Sequence, residues 1–534
     1  MKGLIGKATL TILVAGSLGI LIFGPRPRTD APDGRVRIVY WEKWTGLEGQ
    51  QMKQIVDEFN DTIGRDEGIW VDFTSMSSID RKTLIATAAG APPDVAGLWD
   101  NQIRQFASMD ALTPLDDFAR ADGLTRDHFK HVYYDGCCYN GKLFALPSTV
   151  WSVALIWNKQ VFQDAAESLR AAGLDPDRAP RTFDELNRYA AAIDQRDSHH
   201  HLLRAGFIPL EPQGPFCNVD SFWFGGTFVD SSGTHMLLDT PPYVKLYDWI
   251  RSFSERLGKD ELAEFRSGFG GPLGLFDSPQ NPFLCGQLAM EQQGPWVAAF
   301  IEKLKPSMNR WHVPPDQLKR EQDFASVAPG MTRQQVEQLL GPPDASGDTL
   351  HWLAGIKDLY VTLSNGVVTN AYAELRPAAE RQKYSQWGAV PFPSPVPGMD
   401  NVTYAGMDTL VIPAGSHHKK EAFEFISYVD RQDVIEKLTM SHCNLSPLAE
   451  ESEHYRRDHP NAYADVWDML AASPNAHPLP AIPNWTQLYD DLTEANDRAY
   501  LLQGTTAEIV GDLQRHAQKD LNKALNLPEN ANLQ

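Results

Sequence analysis

Apolar and polar positions along the chain lay out its elements before any chemistry is considered. Residues 36–40 form a short β-branched run, a strand. Residues 48–60 put Met52, Ile55, Val56 and Phe59 on one helical face. A strand at 69–73 follows, then a helix at 81–89 stopped by Gly90 and Pro92-Pro93, then a strand at 94–98. Such strand–helix–strand alternation implies a parallel sheet under helices. Ligands on such sheets bind just past the carboxyl ends of the strands. The aromatic loops at 41–44 and 99–101 fall at those ends.

The pattern changes at 139–159. Asn140-Gly141 is a hairpin signal, a short apolar piece closed by Pro147 follows, and 150–157 reads as a buried strand. Further on, 329–340 has Thr332 as N-cap, Gln335 three residues later, and Val336, Leu339 and Leu340 inward, which predicts a capped helix. Gly341-Pro342-Pro343 stops it. Strands are predicted at 349–353, 359–364 and 367–373, the last two flanking Asn365-Gly366. A helix and three strands make a small α+β unit.

At the N-terminus, Lys2 and Lys7 precede an apolar run at 10–23. Residues 1–24 therefore read as an export signal or membrane anchor. No A-x-A site stands out after the run and no Cys follows it, which favours a retained anchor. Residues 25–34, with Pro, Arg and Asp, read as a linker.

The chain has 534 residues, more than one core holds, so two or more domains are expected. A net charge of -21 argues against a nucleic-acid partner, which needs a basic face. The five cysteines form no C-x-x-C and are scattered, so neither zinc chemistry nor a disulfide framework is indicated. There is no P-loop and no H-E-x-x-H, and His199–His201 and His417-His418 lack spaced partners for a metal. No cofactor, metal or catalytic residue is predicted, and an enzyme is not expected. The fourteen tryptophans are many. Trp249, Trp311, Trp352, Trp387 and Trp467 read as core, which leaves others to face a cleft.

The order of parts resembles the extracellular solute-binding proteins of ABC importers, in the sugar-binding branch that includes the maltose-binding protein. The resemblance rests on Trp41-x-x-Trp44, Pro92-Pro93-Asp94, Leu112-Thr113-Pro114-Leu115, Gly141-Lys142, Leu146-Pro147, Trp157-Asn158-Lys159 and the helix opener at 180–186, with a capping box between Thr182 and Glu185. It continues through Gly225-Gly226, Asp230, Gly233, the segment 286–296 and the return at 388–393 and 406–412. It implies an α/β, two-lobed periplasmic-binding-protein type II fold with a hinged cleft, plus the small α+β insertion. The first lobe is expected at 35–148 and 404–443, the second at 150–403 and 444–525. Hinges are expected near 149–153, 403–407 and 444–447.

The resemblance further implies an extracytoplasmic, periplasmic receptor tethered to the inner membrane. It would bind a carbohydrate between the lobes and deliver it to ABC permease subunits. Sugar faces need aromatic plates and sugar hydroxyls need acids or amides. The expected ligand residues are Trp41, Glu42, Trp44, Trp99, Asp100 and Asn101 from the first lobe, Trp151 and Met407 at the hinges, and Asp220, Trp223, Trp296 and Trp485 from the second. Trp296 and Trp485 match family positions that stack on sugar.

About sixty residues between Trp296 and Trp387 exceed what the family needs. Residues 324–376 resemble the SmpA/BamE-type outer-membrane assembly module, on Gly330-Met331-Thr332, Val336, Leu340-Gly341 and Pro342. That resemblance implies contact with an envelope protein. It keeps a second function open, a receptor-like scaffold in envelope assembly that has lost transport.

Overall fold

The computed structural model describes residues 31–209, 218–267, 278–480, 482–528 and 531. The expected signal or anchor at 1–24 and Cys217 lie outside these residues. Among the described residues, no helix is long and apolar enough to cross a membrane.

The elements that position the site run in this order. β1 (Val36–Glu42), α1 (Gly46–Asp61), β2 (Ile69–Ser75), α2 (Ile79–Ala88), β3 (Val95–Trp99) and α3 (Asp100–Ser108) open the fold. β4 (Ala145–Ser152) and β5 (Ala154–Asn158) follow, then α4 (Phe183–Ile193), β6 (Met290–Gln293) and α5 (Val297–Leu304). The insertion supplies α6 (Arg333–Leu340), β7 (Thr349–Ala354), β8 (Lys357–Ser364) and β9 (Val367–Leu375). The chain returns through β10 (Trp387–Val390), β11 (Thr403–Val411), α7 (Lys419–Val429), α8 (Gln432–His442), β12 (Ala476–His477) and α9 (Trp485–Tyr500).

The first sheet has the order β12-β11-β3-β1-β2, with β4 also paired to β11. β1 runs parallel to β2 and β3, and β11 runs antiparallel to β3 and β4. In β1 the period-two pattern holds: Ile38, Tyr40 and Glu42 point into the core. α1 buries Met52, Ile55, Val56 and Phe59 against it, the face the spacing predicts. A second sheet, β6-β5-β10, is antiparallel. β4 and β5 are buried along their whole length.

Only Val153 separates β4 from β5, so the chain passes from the first sheet to the second almost without turning. Three segments cross there together. Thr403 Oγ1 donates to Val153 O at 2.8 Å and accepts from Val153 N at 2.9 Å. Val150 and Leu445 exchange backbone hydrogen bonds at 3.0 and 3.1 Å. Met407 lies opposite Val150 in the ladder between β4 and β11.

The Asn140-Gly141 and Asn365-Gly366 turns both have two positive φ angles, the type I′ geometry that fits a tight hairpin. Thr332 and Gln335 form the expected capping box. At α4 the expectation needs correction. Thr182 caps Glu185 N, but the Glu185 carboxylate takes Arg178 and the Arg181 amide instead of closing the box.

The insertion has a core of its own, in which Val336, Leu340, Leu350, Trp352, Leu359, Val361 and Val368 pack together. Its sheet is a β7-β8-β9 meander. A preceding helix, Pro315–Asp323, belongs to the same unit: its Arg320 pairs with Asp344 at 2.9 Å and donates to Leu353 O at 3.2 Å. Arg310 fastens the unit to the second lobe by pairing with Glu302 of α5 and with Glu321, both at 2.9 Å.

Candidate functional site at the lobe junction

The loop after β1 is built around a buried carboxylate. Glu42 accepts hydrogen bonds from the Tyr40 hydroxyl, the Lys43 amide at 2.7 Å and the Trp44 amide at 3.2 Å. Gly97 on β3 leaves room for it, because a Cβ there would collide with the carboxylate. Glu42 therefore holds the loop together and has no surface to offer a ligand, against the expectation. Trp44 is also buried, edge-on to the His442 ring at 4.5 Å, so it is core and not an open plate. Trp41 packs partly buried against the first-lobe core.

Sequence reasoning missed Lys43, although its place between Trp41 and Trp44 was a signal. Its ammonium lies 3.4 Å from Glu42 and 3.2 Å from Asp408, 4.7 Å over the Trp44 ring and 5.7 Å from that of Trp99. Burial disfavours the charge, but Asp408 and Glu42 more than offset it and hold the pKa above its ordinary value.

Trp99, Asp100 and Asn101 stand at the carboxyl end of β3 and the start of α3. Trp99 is 39% exposed, unusual for so large a ring. Asp100 accepts from the Asn101 amide at 2.9 Å and from the Met407 backbone. Burial, aided by the Asp408 charge, pushes its carboxyl up to about 7. Asn101 is buried beside it. The Met407 side chain points into the first-lobe core, with its sulfur 4.0 Å from Cys137 Sγ, so only its backbone serves the site.

At the crossing, Trp151 stands edge-on to Trp296, with centroids 5.6 Å apart at 77°, and to Tyr404 at 4.7 Å and 90°. Gly406 faces Trp151 across the ladder, and a Cβ there would lie 2.7 Å from its ring. Gly294 likewise leaves space for the half-buried Trp296 ring. Tyr404 was also missed. Its hydroxyl is held above its ordinary pKa by burial and then by the charges of Asp100 and Asp408. The structure thus brings together Trp99, Asp100, Asn101, Trp151 and Trp296, with Lys43 and Tyr404 added.

Asp220, Trp223 and Trp485 belong to the second-lobe interior. Trp223 is fully buried, 5.5 Å from Phe392, and is core against the expectation. Asp220 is buried opposite Gln292 of β6, and desolvation pushes it up to about 8, so it is neutral at pH 7. Trp485 packs edge-on to Phe228 at 5.7 Å, with Tyr489 at 6.4 Å.

On the other side of α3, a cavity of about 340 Å³ opens between the lobes, lined by Arg81, Ile85, Phe106, Gln487 and Asp490. A cavity of about 750 Å³ lies elsewhere on the second lobe, between 177–182 and 390–401, and is lined by none of the expected ligand residues. Among the described residues, no group of three or more His, Cys, Asp or Glu side chains could hold a metal.

Two α/β lobes, joined by crossing strands with aromatic rings and an acid at the junction, define a two-lobed solute-binding protein of the periplasmic type. The family model of the bacterial extracellular solute-binding proteins matches residues 43–317, and the chain belongs to that family. A maltotriose-binding protein of Pyrococcus abyssi (strain GE5 / Orsay) is 22% identical over 277 residues, 51% of this chain and 52% of that protein. The alpha-glucosides-binding periplasmic protein AglE of Rhizobium meliloti (strain 1021) is 26% identical over 310 residues, 52% of this chain and 60% of that protein. The chain thus spans about half the length of the curated relatives it matches. Among solved structures, CpMnBP1 with mannotriose bound superposes with a TM-score of 0.68 at 22% identity, covering 90% of this chain and 100% of that one. The Thermus thermophilus maltotriose binding protein bound with maltotriose gives 0.59 at 17% identity, covering 90% and 99%. At these identities the structures support the fold.

Proposed function

We propose that the protein is an extracytoplasmic receptor that binds a carbohydrate between its lobes and delivers it to an ABC permease. The observation that carries this reading is the junction itself. Trp151 meets Trp296 and Tyr404 edge to face, and β11, which carries Tyr404, pairs with the exposed Trp99 at Asp408 and donates to the half-buried Asp100 from the Met407 backbone. Rings serve the C–H faces of a sugar, while a carboxylate and an amide take its hydroxyls. Relatives whose names specify maltotriose and alpha-glucosides point the same way. In this reading Trp41, Trp99, Asp100, Asn101, Trp151, Trp296 and Tyr404 line the ligand, Lys43 holds its floor, and the N-terminal apolar run tethers the receptor to the membrane.

The test is a thermal-shift screen of the full chain against mono- and oligosaccharides, repeated on Trp296→Ala. A ligand at a hundred times its Kd stabilises by about 2.7 kcal/mol, a readable rise in melting temperature. A shift for one sugar class that the variant loses supports the reading, and no shift for any sugar ends it. The second reading, a receptor-like scaffold for envelope assembly, is favoured by the separately cored insertion. It gains if no sugar responds.

A further inference from the structure

The insertion ends in a strand whose outer edge pairs with no strand among the described residues. β9 pairs with β8 on one side. Arg376 N donates to Ile356 O, which makes Leu375 and Lys357 a non-hydrogen-bonded pair and turns the backbone groups of Asn370, Tyr372 and Glu374 inward. The N–H and C=O groups of Ala371, Ala373 and Leu375 therefore point outward. Val368 is different: its N–H and C=O bond outward to Met331 and Gly330, and the register break opposite Thr362/Leu363 absorbs the change. The open edge thus runs over seven residues, 369–375, with Tyr372 at its midpoint. Long open edges are ordinarily blunted by Lys, Pro or a covering element. Here the residues are Thr, Asn, Ala, Tyr, Ala, Glu and Leu, and those that present backbone at the centre of the stretch are alanines.

We propose that this edge pairs antiparallel with the same edge of a second copy, with the twofold axis at Tyr372. Three features favour a second copy over any other strand. The free stretch is symmetric about Tyr372, so a twofold there uses all of it and sets Ala371 and Ala373 opposite each other as hydrogen-bonded pairs. On the open face of the sheet, His351, Tyr360 and Tyr372 form a row of stacked rings, 5.0 Å between successive centroids and 25° and 20° between planes. The row stops at Tyr372, 41% exposed on the edge, and a twofold there continues it into the same row of the second copy. Finally, each chain carries a net charge of -21, so an interface must avoid facing acids. Glu374 is the only charged residue in 369–375, and this register sets it opposite Asn370 of the second copy. A register two residues off in one direction sets Tyr372 against Glu374. Two off in the other direction, the strand runs into the segment already bonded to Val368.

The test is the mass of the full chain in solution across a concentration series at physiological salt, by sedimentation or light scattering. A dimer is expected, and a monomer at every concentration overturns the proposal. Ala373→Pro removes an N–H that points outward, so it costs the monomer no sheet hydrogen bond while blocking the pairing. It should be monomeric with an unchanged melting temperature, and a dimer that survives it places the interface elsewhere. Should that variant fold poorly, Tyr372→Cys decides. At a non-hydrogen-bonded pair on the axis the two Cα atoms lie about 4.5 Å apart, within disulfide reach. An oxidised cross-link absent from the parent protein and from Thr369→Cys supports the proposal, and its absence overturns it. None of these outcomes depends on whether the cleft binds sugar.

Discussion

Lys43 Nζ lies 3.2 Å from Asp408 Oδ1, which ties the loop after β1 to β11, the strand that runs back through the lobe junction. Both side chains are almost fully buried, and Thr149 Oγ1 donates to the other Asp408 oxygen at 2.6 Å. One cation thus neutralises two acids, Glu42 and Asp408, below the exposed Trp99.

Removing that cation leaves two buried carboxylates without the charge they share. Breaking a buried pair on one side costs about 3–5 kcal/mol. Lys43→Met is therefore expected to destabilise the first lobe by about that amount in urea unfolding. Lys43→Arg, which keeps the charge, should retain part of it. Equal stability of Lys43→Met and the parent would show that the three groups are not coupled.

The edge-to-face contact of Trp151 with Trp296 separates two effects. Trp296 is only half-buried, so Trp296→Ala should weaken ligand binding by about 10- to 100-fold, ~1.4–2.8 kcal/mol, with less loss of stability than a fully buried ring. Trp151 is buried, and Trp151→Ala should lose stability as well, by about 3–5 kcal/mol. Gly406→Ala tests the same geometry from behind, because its methyl would press the Trp151 ring from 2.7 Å. Calorimetry with the sugar found in the screen measures all three.

Asp100 titrates where it can be watched. Burial lifts it to about 7. As a carboxylate it accepts hydroxyl protons, and as an acid it loses half that capacity. Affinity should therefore rise between pH 6 and 8, and Asp100→Asn should flatten the profile. A wild-type profile as flat as that of the variant would remove Asp100 from the ligand.

The frame of this site was legible in the sequence because it rests on local patterns. The apolar run of β4 and β5, the face of α1 and the two Asn-Gly turns depend on nearest neighbours and on the period of two or 3.6. Which tryptophan faces the cleft does not. Trp41, Trp44 and Trp99 look alike as letters, yet the half-turn after β1 and the His442 ring from α8 send Trp44 inward. Glu42 looked like a ligand acid because the room that Gly97 leaves for its buried carboxylate comes from the register of β1 against β3. Tyr404 was passed over because its role appears only when β11 crosses Trp151.

Asp220 gives the stability of the second lobe a pH dependence. Its folded pKa is raised to about 8 from its ordinary value of 3.8, so the folded state holds a proton that the unfolded chain releases. Stability from this group is fully present below the unfolded pKa and is lost as pH rises through that window, at about 1.4 kcal/mol per pH unit. Asp220→Asn keeps the amide-sized contact with Gln292 and does not titrate. The difference in unfolding free energy between the two should therefore grow in favour of the variant from pH 5 to 7 and level off above 8. A constant difference would mean that Asp220 is not desolvated.

Arg81 of α2 and Asp490 of α9 join the lobes directly, at 3.0 Å, beside the interlobe cavity. Both side chains are more than half exposed, so the pair belongs to the class worth about 0.2–1 kcal/mol and weakened by salt. Its effect should appear in closure and hardly at all in folding. Arg81→Ala and Asp490→Ala should each lower ligand affinity by no more than about fivefold, with an unchanged melting temperature of the unliganded protein. The swap Arg81→Asp with Asp490→Arg should restore affinity at low salt, and the difference should vanish at high salt. A loss in either single variant that survives high salt would assign those side chains to the ligand, and not to the contact between lobes.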